Sequence, residues 1–165
     1  MKRFLATHRS SIGIVSLFFI VPAILFFPLL SGKSIFSEEF SLYYHHPLFS
    51  FFSKIVSTGT TLPLWSNGYL GGFPVYLTQV GFLHPLYWIF FKIANYISAY
   101  NWMTFLNVAF AGLAMYWFAR ALSLSRSAAI IAGFVYMFNQ HNLYYVGINV
   151  FSNFYVVLPI FFLTA

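Results

Sequence analysis

Uncharged apolar runs separated by short basic or polar breaks set the order of elements along this chain. Ser11–Ser31 carries no charge and is interrupted by Pro22 and Pro28; a helix of that length rises about 31 Å, enough to cross a hydrocarbon core. Residues from 32 to about 81 are the least hydrophobic stretch and hold most of the turn formers, among them Gly59, Pro63, Gly68, Gly71, Gly72 and Pro74. Within that stretch, Tyr43–Ser57 places Leu48, Phe51, Phe52 and Ile55 at helical spacing with Ser50, Ser53 and Lys54 between them. This pattern predicts a short helix lying on a membrane surface. Leu83–Ser98 is apolar but broken by Pro85, Lys92 and Asn95, and is short for a span. Asn101–Leu122 predicts a second span, with Ala111, Gly112 and Ala114 as a small-residue stripe for close helix packing. After a basic turn at Ser123–Ser127, a third apolar run reaches about Tyr145 and ends in Asn139-Gln140-His141-Asn142. Gly147 breaks the direction and Ile148–Ala165 predicts a return.

Charge decides the orientation. Lys2, Arg3 and Arg9 put the N-terminus in the cytoplasm. Were Leu83–Ser98 to cross, Arg120 and Arg126 would fall outside, so that segment is read as a juxtamembrane or re-entrant helix. The expectation is an all-α integral membrane protein: a polytopic helix bundle with spans at about 11–31, 101–122, 127–145 and 148–165. Its large first extracytoplasmic loop, about 32–100, carries the juxtamembrane helices, and the chain sits multi-pass in the plasma membrane. A signal peptide is the rival reading of the first run, which is too long for a typical apolar core and lacks a small-x-small cleavage site. The last run, Tyr155–Ala165, has no cap and no flanking charge, which suggests the N-terminal part of a longer protein.

Composition agrees with the pattern. The chain is 61% hydrophobic and 24% aromatic with a mean hydropathy of +0.80, outside the range of soluble domains. Its eight Lys and Arg form no run, which argues against a nucleic-acid surface. The absence of cysteine excludes disulfides and thiolate metal sites. The two acids, Glu38 and Glu39, stand side by side just past the first apolar run. In a chain that uses charge so sparingly, their place points to chemistry or metal binding at the outer face. Glu39, with Glu38 as its alternate, can accept a proton from an acceptor hydroxyl or hold Mg²⁺ or Mn²⁺ against a phosphate. The competing reading is a hydrated surface pair.

The run Leu62-Pro63-Leu64-Trp65-Ser66-Asn67-Gly68-Tyr69-Leu70-Gly71-Gly72-Phe73-Pro74, followed by Gly81-Phe82-Leu83-His84-Pro85-Leu86, resembles the signature outer loop of YfhO-like membrane proteins of the GT-C glycosyltransferase class. Ser66-Asn67 stands where that pattern usually has Asn-Pro. A second stretch, Ala111-Gly112-Leu113-Ala114-Met115-Tyr116 through Arg120 to Leu124-Ser125-Arg126, is similar to another segment of the family. The resemblance implies a first span, a long outer loop with two juxtamembrane helices, and further spans. It also implies transfer of a sugar from a polyprenyl-phosphate carrier to a glycan or glycolipid acceptor, using an acid early in the first loop. Family members usually carry Asp there; here Glu38-Glu39 precedes Tyr43-Tyr44-His45-His46-Pro47.

Other candidates each have two readings. His45 and His46 can contact metal or phosphate, or anchor a surface helix; on a helix they point about 100° apart, which argues against one shared site. Lys54 and Lys92 can pair with a lipid phosphate or snorkel to headgroups. Gly68, Gly71 and Gly72 can let backbone amides approach a ligand or simply shape the turn. Trp65 and Tyr69 can stack on a sugar or sit in an interfacial aromatic belt. The expected function is thus a membrane glycosyltransferase of the cell envelope. The alternative is a non-enzymatic membrane module that binds a lipid carrier or a partner protein.

Overall fold

Two prolines divide the first apolar run. A computed structural model describes residues 2–32, 42–59, 61, 64–67, 71–75, 85–145 and 149–164, with the backbone alone described for residues 2–11, 85, 145 and 149–153. Helix α1 (Lys2–Leu25) already includes the basic N-terminal residues and carries Pro22 internally. A short α2 (Phe27–Leu30) follows, with Pro28 in its first turn, where a missing N–H leaves no bond unmade. Gly32, at φ 72°, ends it and donates its N–H to Leu29 O at 2.9 Å.

Helix α3 (His45–Thr58) stops at Gly59, whose left-handed backbone (φ 70°) returns its N–H to Val56 O. Its exposed face holds Ser50, Lys54 and Ser57, as the spacing predicts, but Ser53 is buried in one stripe with Phe49, Phe52 and Val56. A small side chain there lets the neighbouring element come close. Two short strands, β1 (Trp65–Ser66) and β2 (Phe73–Pro74), pair antiparallel with Trp65 opposite Pro74 and Ser66 opposite Phe73.

Helix α4 (Pro85–Ile93) is followed by the longest element, α5 (Tyr96–Ala121). The expected start of that span was Asn101; the helix begins earlier because Asn95 accepts the N–H of Ser98 on its side-chain oxygen at 2.9 Å. Among the described residues, α5 is the one helix long and apolar enough to cross a membrane, beside shorter apolar helices at Ile12–Leu25 and Phe154–Thr164.

Helices α6 (Arg126–Met137), α7 (Gln140–Tyr145) and α8 (Asn149–Thr164) complete the chain. The expected span 127–145 is therefore not continuous. Asn139 breaks it: its Oδ1 accepts from Asn142 N at 2.8 Å and its Nδ2 donates to Tyr136 O at 2.5 Å. One side chain serves the free carbonyl of the helix before it and the free amide of the helix after it.

Helix α5 organises the packing. Phe18 of α1 packs at Gly112 and Asn101 reaches Leu29 O, so α1 and α2 run antiparallel to α5. The core falls into two clusters. One joins α3, α4 and the strand pair to the first half of α5, through Phe49, Phe52, Val75, Tyr87, Phe91 and Tyr100. The other joins α1 and α6 to its second half, through Phe18, Val108, Leu113 and Met137.

Candidate functional site

The aromatic loop predicted to meet a ligand is held by the strand pair. Val75 N donates to Leu64 O at 3.0 Å and extends the pairing by one bond. Phe73 is buried and meets Phe51 of α3 with ring centroids 6.5 Å apart, which fastens the hairpin to the helix. Trp65, opposite Pro74, stays 55% exposed. Gly71 and Gly72 return the chain beneath it with φ of 73° and 111°, where any other residue would be strained. A Cβ on Gly72 would lie 2.9 Å from Trp65 Nε1. The glycine thus provides a surface against which the indole rests, and about half of Trp65 remains exposed.

The two histidines behave differently. His45 is 1% exposed and His46 9%. His46 Nδ1 is hydrogen-bonded to Tyr96 Oη, and its ring lies 4.7 Å from that of Tyr100. His45 meets Tyr44 edge to face at 5.1 Å. The anchoring reading fits this geometry: His46 fastens α3 to the first turn of α5. The sequence gives no hint of Tyr96 and Tyr100 as its partners, because they lie fifty residues further along the chain.

Lys54 is exposed on α3, where Lys54 O accepts from Ser57 Oγ and Thr58 Oγ1. Lys92, in the last turn of α4, lines a groove of about 320 Å³ with Val56, Gly59, Trp88 and Ile89. An ammonium at the rim of an apolar groove suits the phosphate of an amphiphile whose chain lies along the wall. Trp88, packed edge to face on Phe52 at 5.2 Å, was not singled out from sequence; a tryptophan one turn before a lysine on an apolar helix was the available signal.

Glu38 and Glu39, the expected catalytic pair, lie outside the described residues, as do Tyr69 and Gly68. Among the described residues no group of three or more His, Cys, Asp or Glu gathers to hold a metal ion. What the described part presents is a half-exposed indole on a glycine turn and an apolar groove bearing Lys92, both adjoining α3. Comparison with family models, curated proteins and solved structures finds no match for this chain.

Proposed function

We propose that the chain is a multi-pass protein of the plasma membrane, N-terminus in the cytoplasm, that works as a GT-C-type glycosyltransferase at the outer face. The distribution of charge supports the membrane part. Because α1 and α5 run antiparallel, the N-terminal end of the α1 backbone lies toward the end of α5 that carries Arg120, and the interior of α5 carries no charge. Lys54 and Lys92 sit with the opposite end of α5. Basic residues at one end and an aromatic, lysine-bearing layer at the other are what a cytoplasmic and an outer interface require.

The observation that carries the functional part is Trp65 lying against Gly72 and remaining 55% exposed. An exposed indole on a fixed turn offers a flat apolar platform to the C–H face of a sugar ring. In this reading the Lys92 groove takes the polyprenyl phosphate. Glu39 or Glu38 removes the proton of the acceptor hydroxyl as its oxygen bonds to the anomeric carbon, and the carbon–oxygen bond to phosphate breaks with its electron pair on the departing polyprenyl phosphate.

The test is Glu38→Gln and Glu39→Gln, singly, in the full chain with glycan transfer as readout. A loss of about a hundredfold or more in one of them is expected for a missing general base. Unchanged transfer in both removes the carboxylate mechanism. The non-enzymatic alternative predicts that both variants complement a deletion while disruption of the Gly71-Gly72 turn does not.

A further inference from the structure

The break between α6 and α7 falls partway along α5. Met137, the last residue of α6, packs on Gly112, about 24 Å along the helix from Tyr96 and about 14 Å from Ala121. The other arm returns beside it: Phe162 of α8 meets Phe118 at 6.2 Å, and Tyr155 meets Tyr136 at 6.1 Å and His141 at 5.7 Å. Helix α6 has 12 residues and rises only about 18 Å. It therefore turns back well short of the end of α5 that carries Tyr96.

The turning point is polar. Asn142 is wholly buried and donates Nδ2 to Met137 O at 2.8 Å. Its Oδ1, like Tyr136 Oη, is a buried polar atom with no hydrogen-bond partner. Gln140 and His141 are exposed, and with Tyr144 they line a cavity of about 270 Å³. If Arg120 and Arg126 mark the cytoplasmic headgroups, these amides and the imidazole sit about 15 Å inside the hydrocarbon layer. Exposed polar groups and a broken helix persist at that depth where they line a cavity reached by water.

We propose that the α6–α7 junction lines a water-filled recess open to the outer face, where Gln140, His141 and Tyr144 bind a neutral, hydroxyl-rich group such as a sugar. A hydroxyl both donates and accepts, which suits the amide of Gln140, the imidazole of His141 and the phenol of Tyr144 on the cavity wall. Lining a recess at the α6–α7 junction, amides, phenols and an imidazole offer no fixed counter-charge to an ion, and Arg126 is about 16 Å away along α6. The inference rests on the multi-pass reading and is independent of the transfer chemistry.

The chain has no cysteine, so single cysteines report water access through a membrane-impermeant maleimide, which reacts with the thiolate. In sealed vesicles carrying the full chain, Ser50→Cys reports the outer face, Leu124→Cys the inner face and Ile131→Cys the lipid-facing side of α6. Gln140→Cys and Tyr144→Cys are expected to label from the Ser50 side about tenfold faster than Ile131→Cys. Excess methyl glucoside is expected to slow Tyr144→Cys labelling, inorganic phosphate to leave it unchanged, and Gln140→Leu to abolish the protection. Failure of Ser50→Cys and Leu124→Cys to label from opposite sides overturns the multi-pass reading and the inference with it. Correct sidedness with Tyr144→Cys as slow as Ile131→Cys overturns the recess alone. Fast labelling that methyl glucoside does not slow, or that phosphate slows equally, overturns the neutral ligand.

Discussion

Phe18 fills the notch at which Gly133 meets Gly112. A Cβ added to Gly133 would lie 2.6 Å from Phe18 Cε1 and Cζ and 2.8 Å from Gly112 O. The first contact can be relieved by rotating a ring; the second is with backbone and cannot. The ring also stacks on Phe134 at 5.0 Å, so three helices close on one side chain.

Gly133→Ala is therefore expected to force α5 and α6 apart and to destabilise the fold by about 1–3 kcal/mol. A lower thermal midpoint in detergent micelles measures it. Adding Phe18→Leu to make room should not restore stability, because the carbonyl of Gly112 still blocks the new methyl group. Restoration by the double variant would mean that the ring, not the backbone, sets the spacing.

Asn101 secures the top of the same bundle. It is wholly buried on α5 and donates Nδ2 to Leu29 O at 2.9 Å. Leu29 belongs to the last turn of α2, and its carbonyl accepts both this amide and the N–H of Gly32. Asn101→Leu fills the space and leaves that carbonyl with the Gly32 bond alone, so the loss of one hydrogen bond, about 0.5–1.5 kcal/mol, is expected. Faster limited proteolysis between α2 and α3 checks it. Equal proteolysis of the two proteins would show that the Gly32 N–H alone satisfies Leu29 O.

These contacts mark the limit of what the pattern along the chain could reveal. The helix α3 was legible from Leu48, Phe52 and Ile55, and the small-residue stripe at Ala111, Gly112 and Ala114 pointed to close packing. Gly112 indeed lies against Phe18 and Met137. That Gly133 and Phe18 complete the notch was not legible, since both look like ordinary members of apolar runs. The break at Asn139 was hidden for another reason. Hydropathy averages over a window, whereas the two bonds Asn139 makes to Tyr136 and Asn142 depend on one side chain. At the candidate site, Trp65, Gly71 and Gly72 stood out by residue type, but the buried contacts of His46 are with Tyr96 and Tyr100, which sequence spacing cannot bring together.

The hydrogen bond between His46 and Tyr96 separates anchoring from substrate contact. Tyr96→Phe removes the phenol oxygen and keeps the ring, so it is expected to cost about 1–3 kcal/mol of stability through the buried imidazole it leaves. As an anchor, His46 predicts that glycan transfer per folded molecule stays within about twofold of the parent. A rise in KM with an unchanged thermal midpoint would instead give His46 to the substrate.

Trp65 and its glycine bed allow the sharpest test of the sugar platform. Trp65→Ala is expected to remove about 0.5–1.5 kcal/mol of stacking, roughly a two- to tenfold loss in kcat/KM, with Trp65→Phe keeping most of it. The two glycines should then part company. A methyl group on Gly72 meets the indole at 2.9 Å, whereas one on Gly71 meets nothing within 4 Å. Both carry positive φ, so each alanine strains the turn by about 1–2 kcal/mol, but only Gly72→Ala displaces the indole. Gly72→Ala should match Trp65→Ala in kcat/KM, while Gly71→Ala shows the strain as a lower midpoint and keeps most of the transfer. Equal loss from both would assign the function to the turn's backbone rather than to the face of Trp65.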